Sequence, residues 1–319
     1  MADIDFENAR PVAALTGIGL DTVVRSGLFV AVLLVVWVSF HPFPDLSAPP
    51  QQLAEGGDLA NQLGFAFLFL AFGGWMLLHD PARLKPLLRP ALIVMLTWFA
   101  LSVVVSWEPG LAARRLVFTA IVMAIAAISL LLPKNVRHFA DLLAAATLIV
   151  LALCYASVLL LPDFALHHAT DALEPEHAGS WRGTFPHKNE AGAAMSLFVF
   201  VGLFVARVRN VSLGAAIVAL SAVFLVFSHS KTAIALLPLV LIVSWLVTHA
   251  RRGAYAMMAA IGALALLNLV SLGSIFSDAV REGLSLVVDP SFTGRTDIWE
   301  FALDQLAQRP ITGYGFSAF

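Results

Sequence analysis

Arg182, His187, Lys188 and Asn189 lie close together in the stretch Ser180-Trp181-Arg182-Gly183-Thr184-Phe185-Pro186-His187-Lys188-Asn189-Glu190. Two cations, an imidazole and an amide arriving together can hold an anion and move a proton. Gly183 and Pro186 mark a tight turn that aims Arg182 and His187 at one volume. Lys231, after Ser228-His229-Ser230, and the pair Arg114-Arg115 repeat part of this pattern. Arg114 and Arg115, Lys188 and Lys231 each open an apolar run. A cation at a helix N-terminus opposes the macrodipole and loses ~0.3–1 kcal/mol where exposed. Several such placements make sense around a bound anion, because free N–H groups, dipole ends and side-chain cations together make a phosphate site. The competing explanation for any one of them is snorkelling, in which a long cation reaches from a helix end to the membrane interface.

The elements that must position these groups are helices in lipid. Hydrophobic residues make up 60% of the chain and charged residues 13%. About nine apolar stretches, 26–41, 59–79, 91–107, 116–132, 142–161, 191–206, 211–228, 232–248 and 254–275, approach the length needed to cross the bilayer, whose core is ~30 Å thick. Their continuity excludes the alternation of a barrel. The fold class is therefore all-α, a polytopic integral membrane protein with an amphipathic helix on the outer face near the C-terminus. The expected organisation is a cytoplasmic segment 1–25, a helical domain 26–275 with a functional outer loop 162–190, and the start of a large periplasmic loop at 276–319. Met1 to Arg10 is acidic and lacks the order of a cleavable signal, so the first helix stays as an anchor. Cys154 is the single cysteine, which rules out an intrachain disulfide. A net charge of -2 gives no reason to expect nucleic acid.

With the N-terminus in the cytoplasm, Arg10 and Arg25, then Arg83, Lys85 and Arg89, Lys134 and Arg137, Arg207 and Arg209, and Arg251 and Arg252 all fall inside. That satisfies the positive-inside rule. The outer loops keep only Arg114, Arg115, Arg182, Lys188 and Lys231. The long outer loop also carries Asp163, Asp171, Glu174 and Glu176 with His167, His168, His177 and His187. The histidine spacing fits no helical or knuckle set of ligands, so solvated loop histidines are expected, with no metal and no cofactor. Near the C-terminus, Asp297 with Glu300 three residues on resembles a capping box opening a helix that Pro310 ends, before a Gly313-Tyr314-Gly315 turn. Phosphate-loop, GxSxG and HExxH patterns are missing from the sequence.

Four pieces in order, Arg182-Gly183-Thr184-Phe185-Pro186-His187-Lys188-Asn189, Ser228-His229-Ser230-Lys231-Thr232, Gly294-Arg295-Thr296-Asp297-Ile298-Trp299 and Arg309-Pro310-Ile311-Thr312-Gly313-Tyr314-Gly315, resemble the O-antigen ligase and Wzy-type polymerase superfamily. The wording is closest to its exopolysaccharide polymerase (ExoQ-like) branch. The resemblance implies a metal-independent, inverting glycosyl transfer at the periplasmic face of the bacterial inner membrane. Its donor is an undecaprenyl-diphosphate-linked oligosaccharide and its acceptor a sugar, either growing polysaccharide or lipid A core. Membrane lipids and other assembly proteins are the further partners it implies. Arg182 matches the family's first outer basic position, and Lys231 stands where ligases usually carry Arg. His187 is the nearby candidate base. Arg114 or Arg115, Lys188, Asn189 and Arg295 would bind substrate, and Trp181 and Trp299 would grip sugars. Members of the family continue past the Gly-Tyr-Gly turn into a His-Asn motif, so a chain stopping at Phe319 reads as truncated. The rival readings are a transporter or flippase of lipid-linked saccharide and a noncatalytic scaffold. Helix interiors almost free of charge speak against the transporter, whose ionisable groups belong near the midplane.

Overall fold

The computed structural model describes residues 19–38, 42–47, 59–172, 174–249, 255, 257–259, 261–262, 265, 293–310 and 313–316. The helices are α1 (Leu20–Val38), α2 (Leu59–His79), α3 (Pro90–Val104), α4 (Pro109–Ser129), α5 (Val136–Leu160), α6 (Lys188–Val208), α7 (Val211–Phe227), α8 (Lys231–His249) and α9 (Thr293–Gln308). The chain is all-α, as its composition requires. Five of the described helices are long and apolar enough to cross a membrane, and Pro90–Val104, Val211–Phe227 and Lys231–Trp245 are shorter apolar helices. This is a multi-pass membrane protein. The expected ninth stretch, 254–275, lies largely outside the described residues.

Local sequence explains the helix starts. Pro90 and Pro109 occupy first positions, where the missing N–H is no loss. Asn135 caps α5 by accepting from the His138 N–H, and Asn210 caps α7 by accepting from Leu213, each at 2.9 Å. Two expectations shift. Helix α1 starts at Leu20 rather than 26, because Asp21 and Arg25 pair along its first turns at 2.8 Å and carry the helix through a polar stretch. Helix α9 begins at Thr293, so Asp297 lies inside the helix and the capping-box reading fails. The stop before Pro310 and the turn through Gly313 and Gly315, both at positive φ, are as expected.

Two groups of helices build the core. Phe29, Val32, Phe72, Met76, Ile125 and Ile128 join α1, α2 and α4. Val150, Cys154, Met195, Phe198, Ile217 and Phe224 join α5, α6 and α7. Helices α6 and α7 cross at Gly202 and Gly214. A Cβ on Gly214 would stand 2.4 Å from the Ala206 nitrogen and the Gly202 oxygen, so the two backbones touch. The N-terminal ends of α6 and α8 also meet, since a Cβ on Gly192 would fall 2.4 Å from Cβ of Ser230. That contact sets the bases of Lys188 and Lys231 side by side.

Candidate functional site

The loop between α5 and α6 is folded, not merely long. After one helical turn at Pro162–Ala165, Leu166 forms an isolated antiparallel bridge with Trp181. The Trp181 N–H donates to the Phe227 carbonyl at 3.0 Å, and its ring stacks on Phe227 with centroids 4.5 Å apart. This ties the loop to the end of α7. The loop also reaches the α1–α2 connection, where Ala172 N–H donates to Leu46 O at 2.9 Å. Gly183 turns the chain at φ +59°, and a Cβ there would meet Cys154 Sγ and Phe224 Cζ at 2.9 Å.

Arg182 leaves that turn buried, with 4% of its surface exposed. Its guanidinium donates to the Pro186 carbonyl and the Pro44 carbonyl, each at 3.2 Å, while Nε has no hydrogen-bond partner. Burial lowers its affinity for the proton, against the pull of Asp171 and Asp45. Neither carboxylate is within ion-pair reach, so Arg182 keeps a buried, incompletely satisfied positive charge. Lys188 is buried at the first position of α6 and feels the repulsion of Lys231, which is exposed at the first position of α8. Asn189 accepts from the Ser230 hydroxyl at 3.2 Å. Arg182, Lys188, Asn189, Lys231 and Trp181 thus occupy one end of the α5–α8 group.

Two imidazoles cap α6. His167 hydrogen-bonds Asp171 through Nδ1 at 2.9 Å and accepts the Lys188 N–H on Nε2 at 3.2 Å. His187 accepts the Asn189 N–H on Nδ1 at 3.1 Å, and its Nε2 faces the Glu174 carboxylate. Each ring accepts on one nitrogen, so in its neutral form the proton sits on the nitrogen facing the carboxylate. The first amides of α6 are therefore not free to bind an anion, contrary to the sequence argument. Burial pushes the His167 imidazole down, against the Asp171 bond that raises it. His187 in turn has both nitrogens engaged, so acting as a base requires opening the Asn189 bond.

The expectation of separate, solvated loop histidines does not hold. His167, His177 and His187 pack edge to face with centroids 5.9, 4.9 and 5.8 Å apart. His177 sits 3.4 Å from the carboxylate of Glu174. Ligand-spacing rules for helices and knuckles miss this cluster because an irregular loop, rather than a helical period, assembles it.

Arg114 and Arg115 lie elsewhere. They are on α4, which packs against α1, α2 and α3, with Arg114 exposed and Arg115 half-buried. The side chains of Arg295 and Trp299 fall outside the described residues. A contact that spacing did not reveal joins the C-terminal turn to the α3–α4 connection. Trp107 N–H donates to the Tyr314 carbonyl at 3.1 Å, and the Arg309 guanidinium lies 5.4 Å from the Trp107 ring and 5.2 Å from the Tyr314 ring. The aromatic content of both segments was the available signal.

Residues 215–319 match the Wzy_C family, described as O-Antigen ligase. This part of the chain is similar to the O-antigen ligase family. The match starts within α7 and takes in Ser228–Thr232, α8, α9 and the Gly-Tyr-Gly turn, while the 180–190 stretch precedes it. The match supports a part for the chain in bacterial polysaccharide and O-antigen assembly. No curated protein and no solved structure matches the chain.

Proposed function

We propose that the protein transfers a saccharide from a lipid diphosphate to a sugar hydroxyl, at the end of the helical group that carries Arg182, Lys188 and Lys231. The observation that carries this reading is the buried Arg182, whose Nε has no partner, beside two lysines at the starts of α6 and α8. In the transfer, the acceptor oxygen bonds to the anomeric carbon, and the diphosphate leaves with the electron pair of the broken bond. Negative charge grows on the leaving group, and cations fixed at a poorly screened membrane edge stabilise it. Lys231 supplies charge without the two-pronged geometry of Arg, so it acts as a point charge toward phosphate.

The acceptor proton passes to a base, and His187 serves only while its bond to the Asn189 N–H is open. Asn189 and Trp181 line the approach beside Ser230 and Phe227. Arg114, Arg115 and Arg295 remain candidates for contacts with the extended donor or acceptor. We assign the site to the periplasmic face of the inner membrane on the distribution of Lys and Arg. On this reading the donor carries an undecaprenyl chain, and the transfer is inverting and needs no metal.

The test is product formation by the full-length gene product from lipid-diphosphate-linked saccharide, comparing wild type with Arg182→Ala, Lys231→Ala and Lys231→Arg. Loss in both alanine variants with normal membrane insertion is the expected result. Near-normal product in both would reject the role assigned to these cations.

A further inference from the structure

We propose that Glu174, His177 and His187 form a binding site for a zinc-type divalent metal ion that clamps the outer loop across the start of α6. One ligand atom each from Glu174, His177 and His187 lie within 4.8 Å of one another, and Nε2 of both histidines faces the Glu174 carboxylate. Glu174 and His177 come from a single turn, with His177 ending the short 3₁₀ segment Pro175–His177, and His187 comes from the cap of α6. All three residues are half-buried, so the cluster is shielded yet reachable.

The donor set selects the ion. Two imidazoles and one carboxylate suit zinc or a neighbouring first-row ion, whereas magnesium and calcium prefer oxygen ligands throughout. Three protein ligands leave the fourth tetrahedral position for water or an anion. The neighbouring groups limit the set to these three. His167 packs against both histidines, but its nitrogens are committed to Asp171 and the Lys188 N–H. Burial raises the Glu174 carboxyl, but the His187 bond and the nearby imidazoles outweigh it and hold the group below its usual value. Burial, together with the charge of Lys188, depresses the His177 imidazole. Lys188 opposes the incoming ion, while Glu174 and Glu176 favour it.

Binding has one structural consequence. A metal on His187 Nε2 displaces that proton to Nδ1, which then cannot accept the Asn189 N–H. Metal loading and use of His187 as a base exclude each other. The proposal rests on the loop geometry and stands whether or not the glycosyl-transfer reading does.

The decisive experiment titrates metal-stripped, detergent-purified protein with Zn²⁺ by calorimetry, and with Co²⁺ by the visible absorption of a tetrahedral site. One ion per chain is expected. Glu174→Gln and His177→Ala should each weaken binding by about tenfold or more, while His168→Ala should not. Glu174→Gln is nearly isosteric, and circular dichroism of each variant establishes that it is folded. Failure to take up Zn²⁺, uptake unchanged in both folded variants, or preference for Mg²⁺ over Zn²⁺ would overturn the proposal.

Discussion

The two ends of the helical group treat their charges differently. At the end bearing the start of α5 and the link between α6 and α7, cations meet carboxylates. Arg25 pairs with Asp21 at 2.8 Å, Lys134 reaches the same Asp21 at 3.5 Å, and Arg209 pairs with Asp141 at 2.6 Å. At the opposite end, the carboxylates go to imidazoles instead. Asp171 holds His167 at 2.9 Å, and Glu174 holds His177 and His187. Among the described residues, no carboxylate comes within ion-pair distance of Arg182 or Lys188. One end has settled its electrostatics internally. The other keeps positive charge in reserve while its acids orient histidines, the arrangement expected of a surface that awaits an anion.

The comparison breaks most decisively if the two ends do not face opposite compartments. With Cys154 replaced by Ala, cysteines at Ala172 and Ser212 should behave oppositely toward an impermeant thiol reagent on intact cells, with 172 labelled and 212 not. The reverse pattern would turn the protein over. Next in size, Arg182→Ala should lower the transfer rate about 100- to 1000-fold, as for loss of one preorganised donor to a developing oxyanion. Arg209→Ala, at the paired end, should leave the rate within about twofold of wild type, as expected where an exposed pair takes no part in transition-state stabilisation. Equal losses in the two variants would erase the distinction.

Smaller effects sharpen the picture through stability. Gly183→Ala places a methyl against Cys154 and Phe224 in a left-handed backbone conformation. It should cost about 1–3 kcal/mol, seen as a lowered thermal transition in detergent. Arg209→Ala should cost only about 0.2–1 kcal/mol, and less as salt is raised. A larger cost would mean that the Arg209–Asp141 pair joins the helices more firmly than its exposure suggests.

Much of this was legible in the sequence. Continuous apolar runs specified helices because lipid leaves the backbone no alternative. The 180–190 stretch stood out because polar groups at a membrane edge are scarce. The turn at Gly183 and the stop before Pro310 followed from residues with narrow backbone choices. What escaped depends on long-range folding. Nothing in the spacing of Glu174, His177 and His187 announces that an irregular loop brings them together. Nor does spacing reveal that Lys188 and Asn189 lend their amides to imidazoles. Arg114 and Arg115 share the pattern of a cation near a helix start, yet which helices pack together separates them from Lys188, and a one-dimensional pattern carries no such information. The seat of Tyr314 on Trp107 joins residues far apart in sequence and was equally hidden.

The crossing of α6 and α7 at Gly202 and Gly214 constrains how a long-chain lipid can travel. The backbones approach so closely that even a methyl group has no room between them, with 2.4 Å left to the nearest atoms. That seam cannot part to admit a hydrocarbon tail without pulling the pair wholly apart. On the proposed reading, a polyprenyl chain bringing its headgroup to Lys188 and Lys231 would have to slip in along another flank of α6. The glycines close one seam of the bundle, and so remove one of the routes open to such a lipid.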